Sequence, residues 1–135
     1  MTALDTSVCV PALLTWHEHH DACREATVDA RLPTHVVVES YSVMTRLPAP
    51  HRIDSTTAHR LLDRWTDDAL LTAPATLQRN LLSLVAGAGL DGGAVYDALV
   101  GLTAAEHDEL LLTRDRRAMR TYDRLGVAYQ LVESR

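Results

Sequence analysis

The chain has 135 residues, enough for one domain that buries about 68% of the surface of its unfolded form, so neither a metal nor a disulfide is needed to hold a core. A hydrophobic fraction of 47% and a charged fraction of 23% exclude a disordered or low-complexity protein. The net charge of −5 argues against a protein that coats nucleic acid non-specifically, and all 13 basic residues are Arg, which excludes any mechanism that needs a Lys.

Ala3-Leu4 form a short first strand that ends at Asp5, and a helix is expected from Val8 to Trp16 with Pro11 in its first turns, where a missing N–H is tolerated. A second helix spans Glu18 to Ala30. Leu32 to His35 resembles a short strand. Val36 to Leu47 is ambiguous, because three consecutive valines favour strand. The helical spacing of Val36, Val43, Met44 and Leu47, with Pro48 as a stop, decides for helix and puts Glu39 in its first turn. Asp54 or Ser55 caps a helix to Asp67, with Ala58, Leu61, Leu62 and Trp65 inward.

Ala69 to Thr72 is a buried strand. Pro74 opens a helix that runs to Ala86 and stops at Gly87-Ala88-Gly89. After the turn Asp91-Gly92-Gly93 a helix runs to His107, with Asp97 in its first turns. Leu110-Leu111-Leu112-Thr113-Arg114-Asp115 is a short apolar strand ending in an acid. A basic helix follows to Leu125, closed by Gly126, and Val127 to Leu131 is the last strand. Strands alternating with helices predict an α/β fold with a mostly parallel sheet, as one domain over residues 1–135. Cys9 and Cys23 lie within helices and read as packing residues. The first 16 residues lack the basic start of a signal peptide, and no apolar run approaches the ~20 residues of a membrane span, so a cytoplasmic protein is expected.

In open parallel sheets ligands bind just beyond the carboxyl ends of the strands. Asp5 and Asp115 lie at such ends, and Glu39 and Asp97 lie in helices that begin at the same edge, so four carboxylates far apart in sequence can converge. Two carboxylates about 4 Å apart repel by roughly 4 kcal/mol at an effective dielectric of 20. A cation removes that cost, and an all-oxygen set of hard anions suits Mg²⁺ or Mn²⁺ rather than zinc. The natural chemistry of such a site is phosphodiester hydrolysis. Taken singly, each acid has a structural explanation as well: a cap for Asp5, Asp97 or Asp115, and a first-turn acid favoured by the helix dipole for Glu39.

The chain resembles the PIN-domain ribonucleases, and among them the VapC-type toxins of bacterial toxin–antitoxin pairs, over nearly its whole length. The resemblance rests on Leu4-Asp5-Thr6-Ser7, on Val38-Glu39-Ser40 through Leu47-Pro48, on Gly92 through Val100, on Leu112 through Arg117, and on Tyr122 through Val127. It implies a Mg²⁺-dependent endoribonuclease built as an α/β/α sandwich. Asp5, Glu39, Asp97 and Asp115 match the family's catalytic and metal-binding quartet, with Thr6 and Thr113 at supporting hydroxyl positions. It also implies a VapB-type antitoxin as partner and a homodimer, for which Leu13, Leu14 and Trp16 offer a contact surface, although core burial explains those residues equally well.

Arg114, Arg116, Arg117, Arg120 and Arg124 form a basic run that reads either as an exposed helix face or as a set of contacts to RNA phosphates. Gly92-Gly93 is short for a phosphate loop and reads as a turn. His17-Glu18-His19-His20-Asp21 with Cys23 lacks the spacing of a zinc-hydrolase helix and reads as a solvated helix start, with Trp16 before it as a packing residue. Six aromatics, none of them Phe, offer no obvious stacking platform for RNA. A receiver domain would need a Lys, and an aspartyl phosphatase a second Asp where Ser7 stands. The remaining alternative is a non-catalytic PIN-like module that binds RNA or protein.

Overall fold

Short apolar runs give the strands, and their pairing gives one sheet. In the computed structural model, which describes residues 1–134, β1 (Thr2–Leu4) pairs with β2 (Ala30–Pro33) on one side and β4 (Leu110–Thr113) on the other. β3 (Leu70–Leu71) extends the sheet beyond β2, and β5 (Tyr129–Leu131) extends it beyond β4. All four pairings are parallel, in the order β3-β2-β1-β4-β5. Register places Thr2 beside Ala30 and Leu110, and Leu4 beside Leu112.

Parallel neighbours need crossover helices. α1 (Thr6–Leu13) and α2 (His20–Ala26) join β1 to β2, while α3 (Thr34–Thr45) and α4 (Ser55–Asp63) join β2 to β3. The chain then turns back through α5 (Ala75–Gly87) and α6 (Ala94–Glu106) to β4, and α7 (Arg116–Leu125) leads to β5. α1 packs on α2 and α3, and α3 on α4, while α5 packs on α6 and α6 on α7. Because right-handed crossovers running in opposite directions cover opposite faces, these two sets sandwich the sheet, which is the expected α/β/α arrangement. Leu4, Val8, Cys9, Leu32, Val36, Met44, Leu71 and Leu111 are fully buried between the layers.

The largest departures from the sequence reading lie around β2. α2 ends at Ala26, and Asp29 adopts a left-handed turn (φ 59°), so the strand starts at Ala30 and ends at Pro33. Thr34 and His35, expected in the strand, open α3 instead, and Thr34 Oγ1 donates to the Leu71 carbonyl at 3.2 Å. Glu39 therefore sits in the second turn of α3, not the first. α1 starts at Thr6 rather than Val8 and ends at Leu13, leaving Trp16 outside it. The helix before β3 stops at Asp63, though Trp65 still turns inward and is 3% exposed. At the amino edge of the sheet Glu109 is buried and takes Arg31 at 3.2 Å and the Met1 ammonium at 3.9 Å.

Candidate functional site

The strand order reverses between β1 and β4, and the crevice at that switch point is where the carboxyl ends of the two central strands diverge. Asp5 follows β1 there and caps α1; Asp115 follows β4 and caps α7. The Asp115 carboxylate accepts from the backbone N–H groups of Arg117 at 2.9 Å and Ala118 at 3.3 Å. Contact between α3 and α6 brings Glu39 to the same place as Asp97, the fourth residue of α6. The four acids line one cavity of about 40 Å³, together with Thr6, Ser7, Tyr96, Val100 and Tyr122. That volume holds about two or three water-sized groups.

Asp5 is 5% exposed and firmly held. Its Oδ1 accepts from Ser7 Oγ at 2.5 Å and Ser7 N at 3.1 Å, and its Oδ2 from Tyr122 OH at 3.0 Å. Burial nevertheless pushes its carboxyl above the ordinary value, because these donors and Thr113 only partly offset desolvation. Asp97 is pushed up to about 6, first by burial and then by the carboxylates of Asp115, Asp5 and Glu39, with Arg117 opposing. Burial, and then the charges of Asp5 and Asp97, push the Tyr122 phenol far up, so it stays a hydrogen-bond donor. Glu39 pairs with His35 Nε2 at 3.1 Å, one helical turn away.

The hydroxyl support differs in part from the sequence expectation. Thr113 Oγ1 accepts from Asp115 N at 3.1 Å and lies 3.4 Å from Ser7 Oγ. Thr6 lines the cavity, but the hydrogen bonds to Asp5 come from its neighbour Ser7, which also accepts from Arg114 N at 2.7 Å and so ties β1 to β4. Sequence reasoning missed Ser7, Tyr122, Tyr96 and His35 as site residues. The signals were slight: Ser7 follows a strand-end Asp by two residues, Tyr96 immediately precedes Asp97, and His35 stands four residues before Glu39.

A wider groove of about 770 Å³ opens from the acids, and Arg116, Arg117, Arg120 and Arg124 line its wall with Gly93 and Tyr96. Arg114 points elsewhere: its Nη1 donates to the Val132 carbonyl at 2.6 Å, beside a separate cavity shared with His19 and Ser134. Gly92 has φ 55°, and the N–H groups of Ala94, Val95 and Tyr96 donate to the Asp91, Gly92 and Gly93 carbonyls, so the Gly pair forms the turn that leads into α6. The His run precedes α2 as expected of a helix start. His17 Nδ1 accepts from His19 N, and His20 Nδ1 meets the Pro11 carbonyl. Trp16 is 50% exposed and stacks on His51 with centroids 4.2 Å apart, while Leu14 is buried and Leu13 packs against the core.

The donor set around the small cavity is four carboxylates and hydroxyls, all oxygen, which fits a hard divalent cation. Burial lifts Asp97 most and the neighbouring carboxylates add to it, and such an ion would relieve that added repulsion. Among the described residues no three His, Cys, Asp or Glu side chains already stand at chelating separation, so the acids frame a space for an ion rather than a finished cage.

A parallel sheet reversing at its centre, with acids from four separate segments at that point, defines the class. Residues 2–125 match the PIN domain family, and the chain belongs to it. It is 47% identical over 133 residues to ribonuclease VapC40 of Mycobacterium tuberculosis, covering 98% of this chain and 99% of that one. It is 44% identical over 128 residues to ribonuclease VapC27 of the same organism, covering 93% and 92%. Among solved structures, VapBC2 from Rickettsia felis bound to a DNA fragment from its promoter shares the fold, with a TM-score of 0.65 at 16% identity over 98% of each chain.

Proposed function

We propose that this protein is a Mg²⁺-dependent endoribonuclease, the toxin of a VapBC-type toxin–antitoxin pair, and that Asp5, Glu39, Asp97 and Asp115 form its metal-binding and catalytic site. The observation that carries the reading is the meeting of these acids in one cavity that opens into an arginine-lined groove. The ribonuclease names of relatives at 47% and 44% identity support it. Mg²⁺, or Mn²⁺ in its place, would be held by Asp5 and Asp97 with Glu39 and Asp115 completing the set. Such an ion supplies a nucleophilic water at neutral pH and stabilises charge on the leaving oxygen.

The chain's own residues prepare that chemistry. Ser7 and Tyr122 fix the Asp5 carboxylate in one orientation. Thr113 and the first turn of α7 hold the Asp115 segment. Glu39 and Asp115, which complete the set, would help activate the attacking water. Arg116, Arg117, Arg120 and Arg124 offer planar donors to the phosphates of the strand on either side of the cut.

On the same reading the cognate antitoxin is a small VapB-type protein that covers the site and places a basic side chain among the acids. A homodimer is expected as well. Since Leu14 is committed to the core, Trp16 is the exposed member of the expected contact surface. The reading places the protein in the cytoplasm; among the described residues no helix is long and apolar enough to cross a membrane.

The test is cleavage of total cellular RNA by the purified protein with Mg²⁺, with and without chelator, beside Asp97→Asn. Discrete cuts that vanish with chelator and in the variant are expected. A folded, antitoxin-free protein that cuts nothing with Mg²⁺ or Mn²⁺, or an Asp97→Asn protein that cuts normally, sinks the assignment in favour of a non-catalytic binding module.

A further inference from the structure

Tyr96 occupies a position that the proposed chemistry does not use. It is the third residue of α6, immediately before Asp97, and it lines both the acid cavity and the arginine groove. One face of its ring lies against the His35 imidazole, with centroids 5.3 Å apart and planes within 3° of parallel. His35 is fixed in turn by its bond to Glu39 at 3.1 Å. The ring is nonetheless 54% exposed, although an aromatic side chain of this size buries a large apolar area when it serves packing. A planar ring backed by a second ring, rigidly placed on a helix and open on its other side, is a surface for stacking a third flat group.

We propose that Tyr96, held against His35, is a stacking platform for a nucleobase of single-stranded RNA flanking the scissile phosphate, and that it sets base preference beside the cut. The inference rests on the ribonuclease reading and deepens it. The occupant is argued from what shares the groove. Arg116, Arg117, Arg120 and Arg124 line the same wall, and their charge complements a phosphate backbone. The ring adjoins the acids, so a strand laid over the arginines with a phosphate at the acids puts a base beside Tyr96. Stacking tolerates every base but favours the larger face, so purines are expected at this position.

The platform is also wired to the site. The segment His35–Glu39 is one helical turn, so a base pressing on Tyr96 loads the imidazole that holds one of the four carboxylates. Tyr96 is a specificity residue in this scheme; the acids remain those that face the reacting phosphate.

The experiment uses single-stranded RNA oligonucleotides with 2-aminopurine placed at successive positions, mixed rapidly with otherwise native protein and Mg²⁺ and read within the first turnover. Stacking quenches the probe. Quenching is expected at one position, lost in Tyr96→Ala and retained in Tyr96→Trp. With otherwise native protein, Tyr96→Ala should raise KM for the preferred sequence by roughly ten-fold, flatten base preference beside the cut, and leave cuts elsewhere relatively favoured, with recovery in Tyr96→Trp.

Absence of quenching at every position, whether or not the oligonucleotide binds, overturns the platform. So does a Tyr96→Ala protein whose KM and base preference match the parent, or one that loses only affinity for a protein partner. The ribonuclease reading fails separately: native protein that cuts no RNA refutes it, while the quenching measurement still decides what Tyr96 does.

Discussion

Both oxygens of Asp5 are engaged before any ligand arrives, Oδ1 by Ser7 and Oδ2 by Tyr122. A buried hydrogen bond to a charged group contributes about 1.5–3 kcal/mol. Tyr122→Phe should therefore lower stability at pH 7 by about 1–2 kcal/mol, once relaxation is allowed for, and reduce cleavage by roughly 10–100-fold by freeing a proposed ligand to turn. Thermal unfolding and initial rates read the two effects separately. Asp97 gives a prediction with a definite sign. Its folded value of about 6 lies above the ordinary 3.8, so the native state binds a proton more tightly than the unfolded chain. The resulting stability is complete below pH 4 and is lost as pH rises towards 6. Asp97→Asn never carries that charge. The variant should match the parent near pH 4 and gain in thermal midpoint over the metal-free parent as pH is raised to 7. Mg²⁺ at pH 7 should then raise the parent's midpoint and leave that of the variant nearly unmoved; equal shifts in both would remove Asp97 from the ion site.

Helices α6 and α7 meet where Gly101 leaves room for Tyr122. A Cβ on Gly101 would lie 2.9 Å from Tyr122 Cδ1 and 3.2 Å from Val127 Cγ2. Ala is favoured over Gly inside a helix by about 1 kcal/mol, but overpacking costs about 1–3 kcal/mol, and the ring cannot swing aside without releasing Asp5. Gly101→Ala should thus lose up to about 2 kcal/mol in denaturant unfolding and show reduced cleavage although it touches no acid. Element type and order, and the acids at strand ends, were legible in the sequence, because apolar runs, Pro and Gly stops and strand-end acids are local signals. The start of α3 was not. Three valines and Pro33 obscured a boundary that is set by Asp29 in a left-handed turn and by Thr34 bonding to β3, the second of these a tertiary contact. The same holds for hydrogen bonds to Asp5: the two-residue offset of Ser7 is only a slight signal, and nothing in the sequence points to Tyr122 from 117 positions away.

Over the whole molecule, a net charge of −5 coexists with an arginine-lined groove, so the proposed attraction for RNA would be local and strongly screened by salt. Each arginine that neutralises a phosphate of a single strand contributes about 0.7 to the slope of log affinity against log salt. Removing Arg117 or Arg120 should lower that slope by about this amount in titrations from 50 to 200 mM salt, whereas Arg114→Ala, whose side chain holds the Val132 carbonyl, should leave the slope unchanged and cost stability instead. The expected run of five arginines was visible in the sequence, but not that Arg114 ties to the Val132 carbonyl and that Arg124, while lining the groove, also donates to the Ala88 and Gly89 carbonyls; both bonds are tertiary. The order β3-β2-β1-β4-β5 has a further consequence, for the chain as it leaves the ribosome. β1, which precedes the other four strands in the sequence, becomes the middle of the sheet, and its β4 partner comes more than a hundred residues later. Until β4 and α7 have emerged, Asp5 has neither Tyr122 nor the Asp115 segment beside it, and the proposed site does not exist. At elongation rates of about 5–20 residues per second, a cell making this protein therefore holds an inert nascent chain for several seconds. On the proposed reading, an antitoxin already present would have that interval to reach the polypeptide before the site is assembled.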